Sequence, residues 1–137
     1  MRIAVPCLVL FLLTCSSEPP GPAEIAFGSE SCAFCRMVIS DKRFPTQIVS
    51  PGHDPLFFDD IDCMAKHVAA HAFPENAASF VTDYKTSTWI RAREASYFQC
   101  PGMASPMSSG LIATAKGGTP TFCPEVEATQ LFGRELP

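Results

Sequence analysis

The sequence is poor in clustered positive charge. It has 10 Lys and Arg against 14 Asp and Glu in 137 residues, which gives a net charge of −4. The longest basic cluster is the pair Lys42-Arg43, so the sequence argues against a nucleic-acid partner. It also lacks a Ser/His/Asp series, a phosphate-binding loop and a paired-carboxylate motif in a credible context, so we predict no hydrolase and no enzyme. The length and the 47% hydrophobic content predict one globular domain.

Long apolar runs are also lacking. The longest, residues 3–14, follows Arg2 and is shorter than the roughly 20 residues that a transmembrane helix needs. A basic residue before a short apolar segment is typical of a signal peptide, which we assign to residues 1–14. Residues 15–24 are rich in Ser, Pro and Gly and are predicted to be a flexible tether, and residues 25–137 form the predicted domain.

The end of the signal peptide suggests lipid attachment. Residues 12–15, Leu-Leu-Thr-Cys, resemble the bacterial lipobox, in which Cys15 would carry the lipid. Thr14 stands where Gly, Ala or Ser is usual, and an ordinary signal peptide cleaved elsewhere is the alternative. Ser16, rather than Asp, favours the outer membrane. We therefore expect a periplasmic protein with a lipid anchor.

Cysteine is abundant, with 7 residues. Cys7 is removed with the signal peptide and Cys15 is assigned to lipid, which leaves Cys32, Cys35, Cys63, Cys100 and Cys123. Disulfides cannot use all of an odd number of cysteines, so at least one thiol is free, ligated or paired between molecules. Cys100 and Cys123 flank the last strand region and are candidates for a structural disulfide. Cys63 and Met64 are interpreted as core residues.

The periodicity predicts an α+β fold with mainly antiparallel sheets. Alternation predicts a strand at 46–49. Short β-type runs predict strands at 56–58, 79–84, 88–92 and 96–98, and extended structure over 107–115. Apolar residues spaced 3 and 4 apart predict a helix from about Ile61 to Ala72. A second helix is predicted to start after Pro124. The strand–strand–helix–strand order occurs twice in crude form, which suggests two related units.

The strongest local motif is Cys32-x-x-Cys35-x-Met37. A redox dithiol would need a helix after the motif, but β-type residues follow it. A zinc site would need two further ligands. Residues two apart on an extended segment share a face, so the Cys35 thiolate and the Met37 thioether converge, and such soft ligands select Cu(I). All three interpretations remain open, with Cu(I) favoured.

Further residues are candidates for the same site. Met103 and Met107 lie in a Pro/Ser/Gly-rich loop, where they would serve as a ligand, a mobile gate or a cover over the core edge. His67 and His71 share a helix face and leave a histidine ligand open. The acidic group at positions 59, 60 and 62 would cap the helix or form an acidic patch that attracts a cation or a basic partner.

An ordered series of motifs resembles the NosL family. The residues that carry the resemblance are Cys32-x-x-Cys35-x-Met37-x-Ile39-x-Asp41-x-Arg43-Phe44, Gln47-Ile48, Phe58-Asp59-Asp60-Ile61-x-Cys63-Met64, Val81-x-Asp83-Tyr84, Trp89-Ile90-x-Ala92 and Ser105-Pro106-Met107-x-Ser109-Gly110-Leu111. They cover roughly residues 30–115. The segment around Cys123 has no counterpart in the resemblance.

The resemblance implies a lipid-anchored accessory protein of nitrous oxide reductase with two related ββαβ units. It implies that one Cu(I) is bound by Cys35 and Met37, with Met107 or a histidine as the third ligand. Cys32 either assists or pairs with Cys35 in a regulatory disulfide. The implied partners are nitrous oxide reductase and its assembly complex, which includes an ABC transporter.

Overall fold

The computed structural model describes residues 18–137. The predicted signal peptide and the predicted lipid attachment at Cys15 lie outside these residues. Along the described chain the elements are β1 (Thr46–Val49), β2 (Leu56–Phe58), α1 (Ile61–Ala70), β3 (Ala78–Thr82), β4 (Trp89–Arg91), a 3-10 turn (Ala92–Glu94), β5 (Ala95–Gln99), β6 (Leu111–Ala115), β7 (Glu125–Val126) and α2 (Ala128–Phe132).

The first sheet is antiparallel and has the order β2-β1-β3-β4. Its central strand β1 is paired on both sides, with Thr46 opposite Phe58 in β2 and opposite Val81 in β3. β2 is an edge strand, so its outer side is available for another segment of the chain. The site described below uses this edge.

Helix α1 follows directly from the edge strand. Asp60, in extended conformation, is its N-cap, and its Oδ1 accepts a hydrogen bond from the Cys63 N–H at 3.1 Å. Ile61, Met64 and Val68 are buried, as the spacing predicted, together with Cys63. Ala65, which the spacing also placed on this face, is half-buried. The helix ends two residues earlier than predicted, at Ala70, because His71 has left the helical conformation.

The second sheet has the order β6-β5-β7 and is also antiparallel. Residues 107–110, predicted to be extended, form a loop, and β6 starts at Leu111. A disulfide joins Cys100, just after β5, to Cys123, as the sequence suggested, with the two Cα atoms 4.5 Å apart.

The prediction that a helix starts after Pro124 was wrong. Glu125–Val126 form β7, and Val126 pairs with Tyr97 of β5. The Cys100–Cys123 disulfide brings this segment beside β5, and the Gln99 N–H donates to the Pro124 carbonyl at 2.9 Å. The helix therefore begins only at Ala128.

Asp83 and Tyr84 connect the two sheets. The predicted strand over 79–84 ends at Thr82, and the next two residues pair with β6 instead. The Tyr84 N–H donates to the Ala113 carbonyl at 2.9 Å, and the Asp83 carboxylate accepts from the Ala115 N–H at 2.8 Å. The sheets are thus held against each other by backbone hydrogen bonds as well as by side-chain packing.

Two buried clusters form the core. The larger contains Cys32 and Cys63 with residues of α1 and both sheets, and the smaller is built from Phe44, Phe98, Cys100 and Ile112. The predicted α+β class with small antiparallel sheets is confirmed. The relation between two ββαβ units stays a prediction. Within residues 18–137, no helix combines the length and the apolar character that crossing a bilayer requires.

Candidate metal centre

Cys32 and Cys35 lie on a short hairpin rather than before a helix. The Cys32 N–H donates to the Met37 carbonyl at 2.8 Å, and the Ile39 N–H donates to the Glu30 carbonyl at 2.9 Å. The β-type run predicted after the motif is therefore present as one arm of a hairpin, joined by a single bridge between Ser31 and Val38. The tip turns through residues 33–36.

This cysteine hairpin, residues 30–39, is held on the free edge of the first sheet. The Ala33 N–H donates to the Phe57 carbonyl of β2 at 2.7 Å. The chain then passes from β2 into α1, which carries Cys63 in its first turn. One edge strand thus fixes both the hairpin and the start of the helix, which is how distant parts of the sequence converge.

The convergence produces a three-sulfur site. The Sγ atoms of Cys32, Cys35 and Cys63 all lie within 4.8 Å of one another. Cys32 and Cys63 are fully buried, whereas Cys35 is partly exposed. It is the one group of three or more His, Cys, Asp or Glu side chains with metal-binding proximity in the described chain. Three sulfur donors suit a soft cation such as Cu(I).

The three thiols differ in acidity. A hydrogen bond from the Cys63 thiol lowers the pKa of Cys32 well below the usual thiol range. Backbone N–H groups, including that of Cys35 at 3.4 Å, lower this pKa further, whereas burial alone would raise it. The same hydrogen bond and burial raise the pKa of Cys63, and burial raises the pKa of Cys35. The thiolate is therefore favoured at Cys32, and a cation would displace the protons of its neighbours.

Two buried acidic residues lie behind the sulfurs. Asp60 caps α1, so the capping role predicted for the acidic group is confirmed there. Asp59 is 2% exposed, and burial, together with the negative charge of Cys32, raises its pKa to about 6. Asp62 pairs with Lys66 at 2.6 Å on the helix surface. One acidic residue caps the helix, one is buried and one forms a surface ion pair, so the three do not form one open acidic patch.

The predicted methionine ligands are distributed differently. Met37 is 49% exposed and follows Cys35 on the hairpin. Met107 packs against the core cluster that contains the cysteines, and its N–H donates to Asp60 Oδ2 at 3.2 Å. Met103 packs in the other cluster, with Phe44 and Phe98 among its neighbours. The structure thus brings Met107, but not Met103, to the side of the fold where the cysteines pack.

The histidines form a separate pair on α1. The rings of His67 and His71 are stacked with centroids 4.2 Å apart, and His67 also lies against Phe58. Burial, with the neighbouring His71, lowers the pKa of His67. Neither ring belongs to the three-sulfur group.

Cys63 is the site residue that sequence analysis missed. Its helix position predicted burial, which is confirmed, but burial was interpreted as a purely structural role. A signal was available in the cysteine count. Once Cys100 and Cys123 are paired, the thiols left in the domain are Cys32, Cys35 and Cys63.

The fold and the sulfur group define a small α+β protein with a candidate soft-metal centre. The chain belongs to the NosL family, whose model matches residues 23–117. This range includes all three clustered cysteines and excludes Cys123, β7 and α2. Comparison with curated proteins and with solved structures finds no match. NosL is a copper-binding accessory family of nitrous oxide reductase, which agrees with a cysteine cluster that can hold a metal ion.

Proposed function

We propose that this protein is a non-enzymatic copper chaperone that carries one Cu(I) ion and delivers it for the assembly of the copper centres of nitrous oxide reductase. The observation that carries the proposal is the three-sulfur site, in which two sulfurs are buried and the third, Cys35, is reachable. Such an arrangement binds a soft cation and still leaves one side open for transfer.

The donor set favours Cu(I) over Zn²⁺. Structural zinc sites use four nitrogen, sulfur or oxygen ligands in a tetrahedron. The cluster within residues 18–137 supplies three thiol sulfurs, and three soft donors satisfy Cu(I). Met37, on the same hairpin as Cys35, and Met107 would add thioether donors, which again suit copper better than zinc.

Thiol–disulfide exchange is supported less well. A reactive dithiol of the CxxC type owes its reactivity to a thiolate at a helix N-terminus. Here the motif forms the tip of a hairpin and is followed by the extended residues of its second arm. The lowered pKa of Cys32 belongs to a buried sulfur that a substrate disulfide cannot reach.

We further propose that the protein acts in the periplasm, anchored through Cys15 to the outer membrane. There it would meet nitrous oxide reductase and the assembly complex that contains an ABC transporter. Copper would stay Cu(I) throughout and would pass by ligand exchange, which requires no redox partner.

The test is metal analysis of the reduced, anaerobically purified protein followed by competition with a Cu(I) chelator. One Cu(I) per chain is expected, and Cys35→Ser, Cys32→Ser and Cys63→Ser should each weaken binding by at least tenfold, since each removes one of three ligands. Met103→Leu is the matched control and should leave the affinity unchanged. Met37→Leu and Met107→Leu test the two thioethers.

One zinc ion per chain, with loss of the fold on chelation, would favour a structural zinc site instead. Wild-type Cu(I) affinity in Cys35→Ser would contradict the proposal.

A further inference from the structure

We propose that the tip of the cysteine hairpin is the docking face for the protein that accepts copper, and that Arg36 pairs there with a carboxylate of that partner. The docking face consists of Phe34, Arg36 and Met37. The inference rests on the proposed copper function and adds the chemistry of the partner surface: an apolar centre with an acidic side chain beside it.

The apolar part of the docking face is unusual for this molecule. Of the four large apolar side chains that are exposed within residues 18–137, three lie on the cysteine hairpin: Phe34 at 42%, Met37 at 49% and Val38 at 49%. Exposed apolar residues that gather in one place mark interaction sites, whereas isolated ones do not. All three lie within three positions of Cys35, the one reachable thiol of the cluster.

The position of Cys35 identifies the occupant as a copper acceptor. Ligand exchange requires a donor atom of the acceptor to bond the copper ion while Cys35 is still attached. An acceptor that comes this close must also cover the side chains on both sides of Cys35. The apolar residues of the docking face are therefore the ones that such a partner buries.

The conformation of Arg36 points to an external role for its side chain. Its φ of +67° lies in the left-handed region, which glycine adopts without strain and which other residues mostly avoid. Glycine would suit the turn better, so the arginine at this position is not explained by the backbone conformation. The guanidinium has no ion-pair partner among the residues that the structure describes.

The charge of Arg36 makes an acidic partner residue favourable at this point. Its unpaired guanidinium follows Cys35 directly in the sequence, in a chain whose net charge is −4. Guanidinium groups bind carboxylates through two parallel hydrogen bonds, so an acidic partner residue would orient the acceptor over Cys35.

An anionic membrane would also attract an apolar surface with an unpaired cation. A bilayer over the hairpin tip offers copper no soft ligand, however, and it would close the exit at Cys35. The observations therefore favour a protein partner.

The experiment compares the rate of Cu(I) transfer from the copper-loaded protein to copper-free nitrous oxide reductase and to a neutral small chelator. Arg36→Gly and Phe34→Ser should keep wild-type Cu(I) affinity and the wild-type rate to the chelator. Both should slow transfer to the enzyme by about tenfold, and the effect of Arg36→Gly should shrink at high salt. Phe122→Ser, which alters the fourth exposed apolar residue away from the hairpin, is the matched control and should transfer normally.

Unchanged transfer to the enzyme in both variants would overturn the inference. A loss of Cu(I) affinity in Arg36→Gly as large as its loss of transfer rate would also overturn it, because the guanidinium would then serve the metal site. Arg36-dependent binding to vesicles of anionic lipid, with normal transfer, would assign the face to a membrane. A wild-type protein that binds no Cu(I), or that never loads the enzyme, would contradict the proposed function itself.

Discussion

The Asp60 carboxylate holds both the start of α1 and the loop that contains Met107, and substitutions of Asp60 should show how much each contact contributes. Oδ1 accepts the hydrogen bond from the Cys63 N–H that caps α1, at 3.1 Å. Oδ2 accepts from the Met107 N–H at 3.2 Å and from the Ser109 hydroxyl at 3.0 Å. Because the side chain is fully buried, water cannot replace these bonds when they are lost.

The magnitudes follow from these bonds. Loss of an N-cap costs about 1 kcal/mol. Two hydrogen bonds to a carboxylate contribute about 3 kcal/mol together. This value is at the low end of the usual range for hydrogen bonds to a charged group, because burying the carboxylate is itself costly. Asp60→Ala should therefore lower the free energy of unfolding by about 4 kcal/mol. Asp60→Ser restores the cap alone and should lose about 3 kcal/mol, and Ser109→Ala should lose about 1.5 kcal/mol.

Urea unfolding of the three variants measures these losses, and chelator competition measures Cu(I) affinity in parallel. Asp60→Ser keeps the helix start but frees the loop of Met107. If that loop covers the metal, the variant should bind Cu(I) more weakly although Cys63 stays in place. Equal stability losses in Asp60→Ser and Ser109→Ala, with unchanged affinity in both, would refute the reasoning that Oδ2 holds the loop at the site.

Four further outcomes are expected. Arg36→Gly should raise the free energy of unfolding by about 1 kcal/mol, because glycine adopts the φ of +67° without strain; a loss of stability in urea would contradict this. Replacing both Cys100 and Cys123 by Ser should cost about 3 kcal/mol yet leave Cu(I) affinity intact, as chelator competition will check, since the disulfide closes a loop with a sequence separation of 23 outside the sulfur cluster. Burial raises the pKa of Asp59 to about 6 from 3.8, so the protonated Asp59 stabilises the fold fully below pH 3.8, and this stabilisation is lost as the pH rises through 6. The free energy of unfolding of the metal-free protein should therefore fall by about 3 kcal/mol between pH 3.8 and 6, and Asp59→Asn should remove that fall. An unaltered pH profile of unfolding in Asp59→Asn would contradict the raised pKa of Asp59. Thr46→Val should be neutral or slightly stabilising, because the buried Thr46 hydroxyl has no hydrogen-bond partner within residues 18–137; a clear loss of thermal stability would reveal a partner.

The elements that the sequence predicted well are those that local pattern encodes. Alternation over 46–49 and the short apolar run 56–58 predicted the bounds of β1 and β2. The acidic first turn and the 3 and 4 spacing predicted the start of α1 at Ile61. β7 was missed because it depends on a disulfide and on pairing with a strand distant in sequence. Two residues after Pro124 carry no pattern that separates a short strand from the first turn of a helix.

The candidate site was also predictable only where a local sequence pattern encodes it. Cys32 and Cys35 form a local motif, so their joint role was visible in the sequence. Cys63 joins them only because the Ala33 N–H bonds the Phe57 carbonyl at the sheet edge, and because Asp60 fixes the start of the helix that follows. Neither contact has a local signature, and a buried cysteine on an apolar helix face otherwise predicts core packing.

The division of the three sulfurs by exposure would let the proposed carrier both retain and release copper. Cys32 and Cys63 are buried, so competing ligands would reach them poorly. Cys35 is partly exposed, so it is the sulfur that an incoming donor would reach first, and the exposed turn around it is where the proposed partner would bind. A site with three exposed thiols would lose copper to any chelator, and one with three buried thiols would not give it up. The observed arrangement lies between these limits, as the proposed role of a copper carrier would require.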